Sequence, residues 1–241
     1  MMKKQTKKKL LAGLMIAFGI IGIICEIVLV VTYEKYLSRE WTHPGTRWNY
    51  LAFFTEITNI MVDLWLIMVG IAIMFDWKRK YKFWTKPQIQ GAITLYILVV
   101  GVIYCGVLFW FTVPYSSAYW WGNVINVWHH LVVPTVMIIM FWNMPHSGHV
   151  SMKILWYWMI YPVTYLLFSE LRGLIDGWYP YIFLDPHTPL FPIGLITAVI
   201  FIAGFGYALL WIHNAKADKA PALVEAVAEI LAEDTQPKIS K

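Results

Sequence analysis

The stretch 123–142, NVINVWHHLVVPTVMIIMFW, decides the fold. It reads as a membrane span, except that two adjacent imidazoles, His129 and His130, stand a third of the way along it. Composition says whether such a stretch lies in lipid. Of 241 residues, 59% are hydrophobic, 17% aromatic and only 14% charged. A soluble domain carries about a quarter charged residues. The chain therefore reads as a polytopic membrane protein, and the histidine pair as buried in it.

Working outward, six apolar runs stand at 10–33, 50–75, 88–113, 124–142, 154–171 and 193–212. Each suffices to cross about 30 Å of hydrocarbon at about 1.5 Å per helical residue. Strand-period alternation is absent, which argues against a barrel. The expected fold is all-α, with six transmembrane helices in one bundle spanning 1–213. The short uncharged stretch 114–123 predicts a tight hairpin between the third and fourth spans. A tail, 214–241, is expected to carry a short amphipathic helix from Pro221, with Leu223, Val227 and Ile230 on one face and Glu225 and Glu229 on another.

Basic residues near span ends are retained on the cytoplasmic side. In this register fifteen of the nineteen fall on one side, among them Lys7, Lys8, Lys78, Lys80, Lys153 and Lys216. Both termini are thus expected in the cytoplasm, and the chain in the cell membrane as a multi-pass protein. The first apolar run is about twice a signal-peptide core and lacks a small-residue cleavage site, so it is read as a retained helix. Topology and anionic headgroups account for the net charge of +5 and give no reason to propose nucleic acid. Only two cysteines occur, Cys25 and Cys105, each inside a span, which argues against a structural disulfide or a zinc site.

Chemistry has to come from polar residues within the spans, since an intramembrane ionisable group is a functional-site hypothesis by default. At about 100° per residue, Thr55, Glu56, Thr58, Asn59 and Asp63 fill less than half of the second helix. Asn123, Asn126 and His130 share a face of the fourth, with His129 at its edge and Pro134 just below. Tyr161, Tyr165, Ser169 and Arg172 share a face of the fifth. Turned inward, these faces predict a polar cavity in the outer half of the membrane. Interhelical hydrogen bonding worth about 0.6 kcal/mol is the plainer reading for Thr58 and Asn126. Interfacial solvation or an ion pair is the plainer one for Glu26 and Arg172.

Three chemistries could use such a cavity. A metal site is the weakest: adjacent histidines diverge by about 100° and cannot easily chelate one ion together. No metal or cofactor is expected, although His146 and His149 could bind an ion casually. Proton relay through Asp63, Glu56 and His130 suits a transporter. Hydrolysis needs a nucleophile, a base and an oxyanion donor, which Thr55 or Thr58, His130 and an Asn or Tyr could supply. Spacing alone does not choose among them.

The segments FFTEITN at 53–59, HHLVVP at 129–134 and YPVTYLLFSELRGLIDGWYPYIFLDP at 161–186 resemble the bacterial Pr6Pr family of membrane proteins. More distantly the chain is similar to the animal androgen-induced and androgen-dependent membrane hydrolases. That resemblance implies a threonine hydrolase of fatty acid esters of hydroxy fatty acids, with a histidine partner. Thr55 matches the threonine and His130 the bacterial histidine. The animal histidine-to-proline spacing, one residue longer, matches His129. Where the animal motif has Asn or Asp, this chain has Thr58, then Asn59. The expected site is accordingly Thr55 as nucleophile and His130 as base, with Asn59 or Asn126 holding the oxyanion and Thr58, His129, Asp63, Tyr165 and Arg172 lining the cavity. The expected partner is a membrane lipid, a fatty acid ester as substrate. The alternative is a non-catalytic transporter or lipid-binding protein. Trp178, Tyr179 and Tyr181, stiffened by Pro180 and Pro186, are expected to fold back as a lid.

Overall fold

A computed structural model describes residues 4–36, 47–106, 109, 120–144, 146 and 148–234, without the side chains of 4, 33–36, 47–48 and 219–234. Among the described residues there is no strand. The helices are α1 (Lys4–Tyr36), α2 (Phe54–Met74), the short α3 (Lys78–Trp84), α4 (Pro87–Gly106), α5 (Trp120–Asn143), α6 (Ile154–Asp176) and α7 (Leu190–Asp234). Short 3-10 turns, Arg47–Ala52 and Ile182–Leu184, precede α2 and α7.

Five stretches are long and apolar enough to cross a membrane: Gln5–Thr32, Phe54–Met74, Pro87–Gly106, Trp120–Asn143 and Leu190–Asp218. The predicted fifth span is a helix of 23 residues, α6, but Tyr161, Tyr165, Ser169, Glu170 and Arg172 make it less apolar than the others. The second expected span begins later than its apolar run, because 47–52 forms the 3-10 turn. The third expected span, α4, ends as a helix at Gly106, and most of the predicted hairpin lies outside the described residues. The last helix continues without a break from Leu190 to Asp234, through the expected boundary at 213/214. The amphipathic face expected after Pro221 falls on side chains outside the described ones.

Helix α4 is the centre of the bundle. One face, Ile93, Ile97 and Val100, packs with Trp65, Leu66 and Val69 of α2 and Val133 and Met137 of α5. Its opposite face, Leu95, Tyr96 and Val99, packs with Trp158 of α6 and Ile202, Leu209 and Leu210 of α7. Large apolar side chains also point outward, among them Leu14, Ile24 and Ile27 on α1 and Ile193, Ile196 and Ile200 on α7. Such a surface suits lipid as the solvent.

Small residues let helices approach closely where no hydrophobic drive separates them from lipid. On α1, a Cβ at Gly19 would lie 2.8 Å from Ile67 Cγ1, and one at Gly22 would overlap the Asp63 carboxylate. On α2, a Cβ at Gly70 would lie 2.9 Å from the Ala12 carbonyl oxygen. The α1–α2 seam is thus set by glycines at both ends, and polar side chains of α2 are pressed into it.

Helix α5 is not a regular α-helix. Over Trp128–Val132 it widens into a π turn, and the Val133 N–H bonds to the Trp128 carbonyl five residues back. Pro134 supplies the cause: it has no N–H for the His130 carbonyl, and its ring would crowd that oxygen in a regular turn. Gly101 of α4 accommodates the bulge, since a Cβ there would sit 3.0 Å from the Pro134 ring and 3.2 Å from the His130 carbonyl oxygen.

Candidate functional site: a polar cluster at the start of α2

The polar face of α2 divides in two. Thr55 and Thr58 turn toward tyrosines of α6 and of the segment after it. Thr55 Oγ1 lies 3.3 Å from the Tyr181 hydroxyl, which also accepts the Thr55 N–H at 3.3 Å. Thr58 Oγ1 lies 3.3 Å from the Tyr161 hydroxyl. Asn59 donates to the Thr55 carbonyl at 2.9 Å, while its own Oδ1 has no hydrogen-bond partner.

Phe53 offers no side-chain cap to α2. Tyrosines do the capping: Tyr165 accepts the Phe54 N–H at 3.1 Å and donates to the Ala52 carbonyl at 2.9 Å. Tyr165 therefore holds the entry to α2 and does not aim at the histidines. Arg172 likewise serves the scaffold. It bonds Asn49 in the 3-10 turn and Asp176 at 3.1 Å, and its guanidinium lies 4.1 Å above the Trp178 ring.

Residues 177–186 fold back onto the start of α2. Trp178 and Tyr181 pack edge-on against Phe53, with ring centroids 5.9 and 5.4 Å apart, and the Tyr181 hydroxyl reaches Thr55. Burial pushes the Tyr181 phenol up to about 12, so it stays neutral and able to donate near pH 7.

The other half of the polar face meets α1 and α5. His129 Nδ1 lies 3.2 Å from Glu56 Oε2, and its Nε2 lies 3.4 Å from Glu26 Oε1. Tyr50 donates to the same Glu56 oxygen. Relative exposures are 2% for His129, 3% for Glu26 and 8% for Glu56, so this cluster lies inside the bundle. Asp63 is equally buried at 1%, beside Gly22 on the same α1–α2 seam, and neither of its carboxylate oxygens is hydrogen-bonded.

His130 takes another direction. Its ring stacks on Tyr104 of α4 with centroids 3.8 Å apart, and its Nδ1 lies 2.9 Å from the Asn126 carbonyl. Asn126 in turn donates through Nδ2 to the Tyr104 hydroxyl. A carbonyl only accepts, so Nδ1 carries the proton, and in the neutral ring Nε2 is left as an acceptor.

The structure thus brings His129 to Glu56 and Glu26, His130 to Asn126 and Tyr104, and the threonines to Tyr161 and Tyr181. No hydrogen bond joins Thr55 to His130. Constant 100° steps put His129 at the edge of the polar face, whereas it is the more deeply buried of the two. The π turn causes the difference, and Pro134 is its trace in the sequence. Glu26, expected at an interface, is buried; the glycines one and two turns before it mark that close seam. Tyr181 was expected in a segment folding back over the cavity, but its bond to Thr55 was not, and nothing in the sequence marked Tyr50 as a partner of Glu56. At the other end of α5, His146 is buried with Nδ1 2.8 Å from His213 Nδ1, so its partner is on α7, while His149 is exposed.

Fold and site together define an α-helical membrane protein with ionisable groups inside its bundle. Comparison with known families, curated proteins and solved structures finds no match to this chain.

Proposed function

We propose that the chain spans the cell membrane six times with both termini cytoplasmic, and that it hydrolyses a fatty acid ester of a membrane lipid at the start of α2. The observation that carries this reading is the fixed tautomer of His130: the Asn126 carbonyl holds the proton on Nδ1, leaving Nε2 to act as base. The resemblance of 53–59 and 129–134 to the bacterial Pr6Pr family, and the more distant likeness of the chain to the animal membrane hydrolases, imply the same chemistry.

In this scheme Thr55 Oγ attacks the ester carbonyl and passes its proton to His130 Nε2. The oxyanion is held by Asn59 or Asn126, or by the Tyr181 hydroxyl, which lies 3.3 Å from Thr55 Oγ1. His130 then protonates the departing alcohol, and water cleaves the acyl-threonine with the same base. Thr55 and His130 must draw closer with substrate bound, as catalytic contacts often tighten only in the complex. A second reading, a non-catalytic transporter, draws on the buried carboxyl groups of Glu26, beside His129, and Asp63, which suit proton or ion handling.

Turnover of a fatty acid ester of a hydroxy fatty acid by the purified protein tests the proposal. Thr55→Ala and His130→Ala should each lose about 100-fold or more, Thr55→Ser should keep partial activity, and the double variant should lose no more than either single. Undiminished turnover by Thr55→Ala ends the hydrolase reading. A transporter predicts instead that His130→Ala shifts the pH dependence of uptake and that Thr55→Ala matters little.

A further inference from the structure

The hydrolase scheme leaves the most deeply buried ionisable groups without a role. Glu26 from α1, Glu56 from α2 and His129 from α5 each offer a ligand atom, and these atoms lie within 4.8 Å of one another. Both Glu26 oxygens and His129 Nε2 are buried and make no hydrogen bond, and Glu26 Oε1 faces Nε2 at 3.4 Å as an ion pair. Among the described residues no lysine or arginine pairs with either glutamate. One histidine, at most singly charged, stands against two carboxylates, with the Asp63 carboxylate further along the seam. Buried acids of this kind are neutralised either by protons or by a bound cation.

We infer that Glu26, Glu56 and His129 form a binding site for one divalent transition-metal ion of the zinc or manganese type. The donor set, one imidazole nitrogen and two carboxylate oxygens, suits these ions better than a thiolate-seeking or an all-oxygen one. An ion would take a single nitrogen of His129, either Nε2, 3.4 Å from Glu26, or Nδ1, 3.2 Å from Glu56. Tetrahedral ligands at about 2.1 Å lie about 3.4 Å apart, so from a set within 4.8 Å the other glutamate closes in on binding. Three protein ligands leave a position open for water or a substrate oxygen. Tyr50, donating to Glu56, orients that ligand from behind. Only His129 takes part, so the divergence of adjacent histidines is no obstacle. The inference uses neither Thr55 nor His130 and stands or falls apart from the hydrolase scheme.

The test uses the full chain in lipid nanodiscs, stripped with a chelator and titrated separately with Zn2+ and Mn2+ against a chromophoric competitor. The wild type should bind about one ion per chain, with a rise in Tm on loading. Glu26→Gln and His129→Gln should each weaken binding at least about tenfold, and Thr55→Ala should leave the stoichiometry unchanged. Should the variants not fold, zinc-edge X-ray absorption on the wild type decides: one imidazole nitrogen with oxygens supports the site, and two or more imidazoles overturn it. No specific binding of either ion overturns it, as does affinity untouched by both cluster variants. Failure here with ester turnover intact removes the metal and leaves the hydrolase; metal binding without turnover does the reverse.

Discussion

The histidine pair shows what a residue reveals before its structure is known. Two imidazoles in an apolar run stood out at once as polar groups within a candidate span, because nothing about lipid solvation favours them. Which way each points was not. Regular helical steps aim His130 inward and leave His129 at the edge, but the π turn over Trp128–Val132 seats His129 between Glu56 and Glu26 and His130 against Tyr104. If Pro134 causes that turn, Pro134→Ala should restore an N–H for the His130 carbonyl and let α5 tighten. The variant should fold and be at least as stable as wild type, since a helix-interior proline costs about 3 kcal/mol. It should nevertheless lose about tenfold or more in turnover, because a misplacement of about 1 Å in a catalytic group is felt in rate. Wild-type turnover in a stably folded Pro134→Ala protein would separate the bulge from function.

Among the elements, the helices were legible from their apolar runs, and their ends were not. Helix α2 starts at Phe54 because Tyr165 and Tyr181 cap it from distant segments, which no local pattern announces. Helix α6 is the hardest to assign, since its inward face carries tyrosines that serve as caps and its hydropathy suffers accordingly. Pairing of α1 with α2 was written in glycines rather than in hydropathy. Gly22→Leu should drive α1 away from Asp63 and cost about 1–3 kcal/mol. That corresponds to a fall of about 2–12 °C in Tm for a chain of this length. Gly204→Leu on α7, where a Cβ meets nothing within 4 Å, is the matched control and should stay within about 0.5 kcal/mol of wild type. Equal effects of the two substitutions would mean that the seam is not held by close approach.

At the scale of the whole molecule, composition made the membrane plain, and the charge asymmetry supplied an orientation that backbone geometry alone does not carry. The proposed topology turns on α6, whose crossing brings the total to six and returns both termini to one side, while the proposed cytoplasmic N-terminus places the start of α2 in the outer half of the membrane. Cysteine accessibility in intact cells measures this directly. Cys25 and Cys105 are first replaced, and single cysteines are then placed at Lys80, Lys153 and Pro189, at ends of α3, α6 and α7. With an impermeant thiol reagent the account predicts labelling at Pro189 and none at Lys80 or Lys153. The same result at Pro189 and Lys153, both protected or both labelled, would mean that α6 does not cross, and labelling at Lys80 with Pro189 protected would put the polar cluster on the opposite face of the membrane.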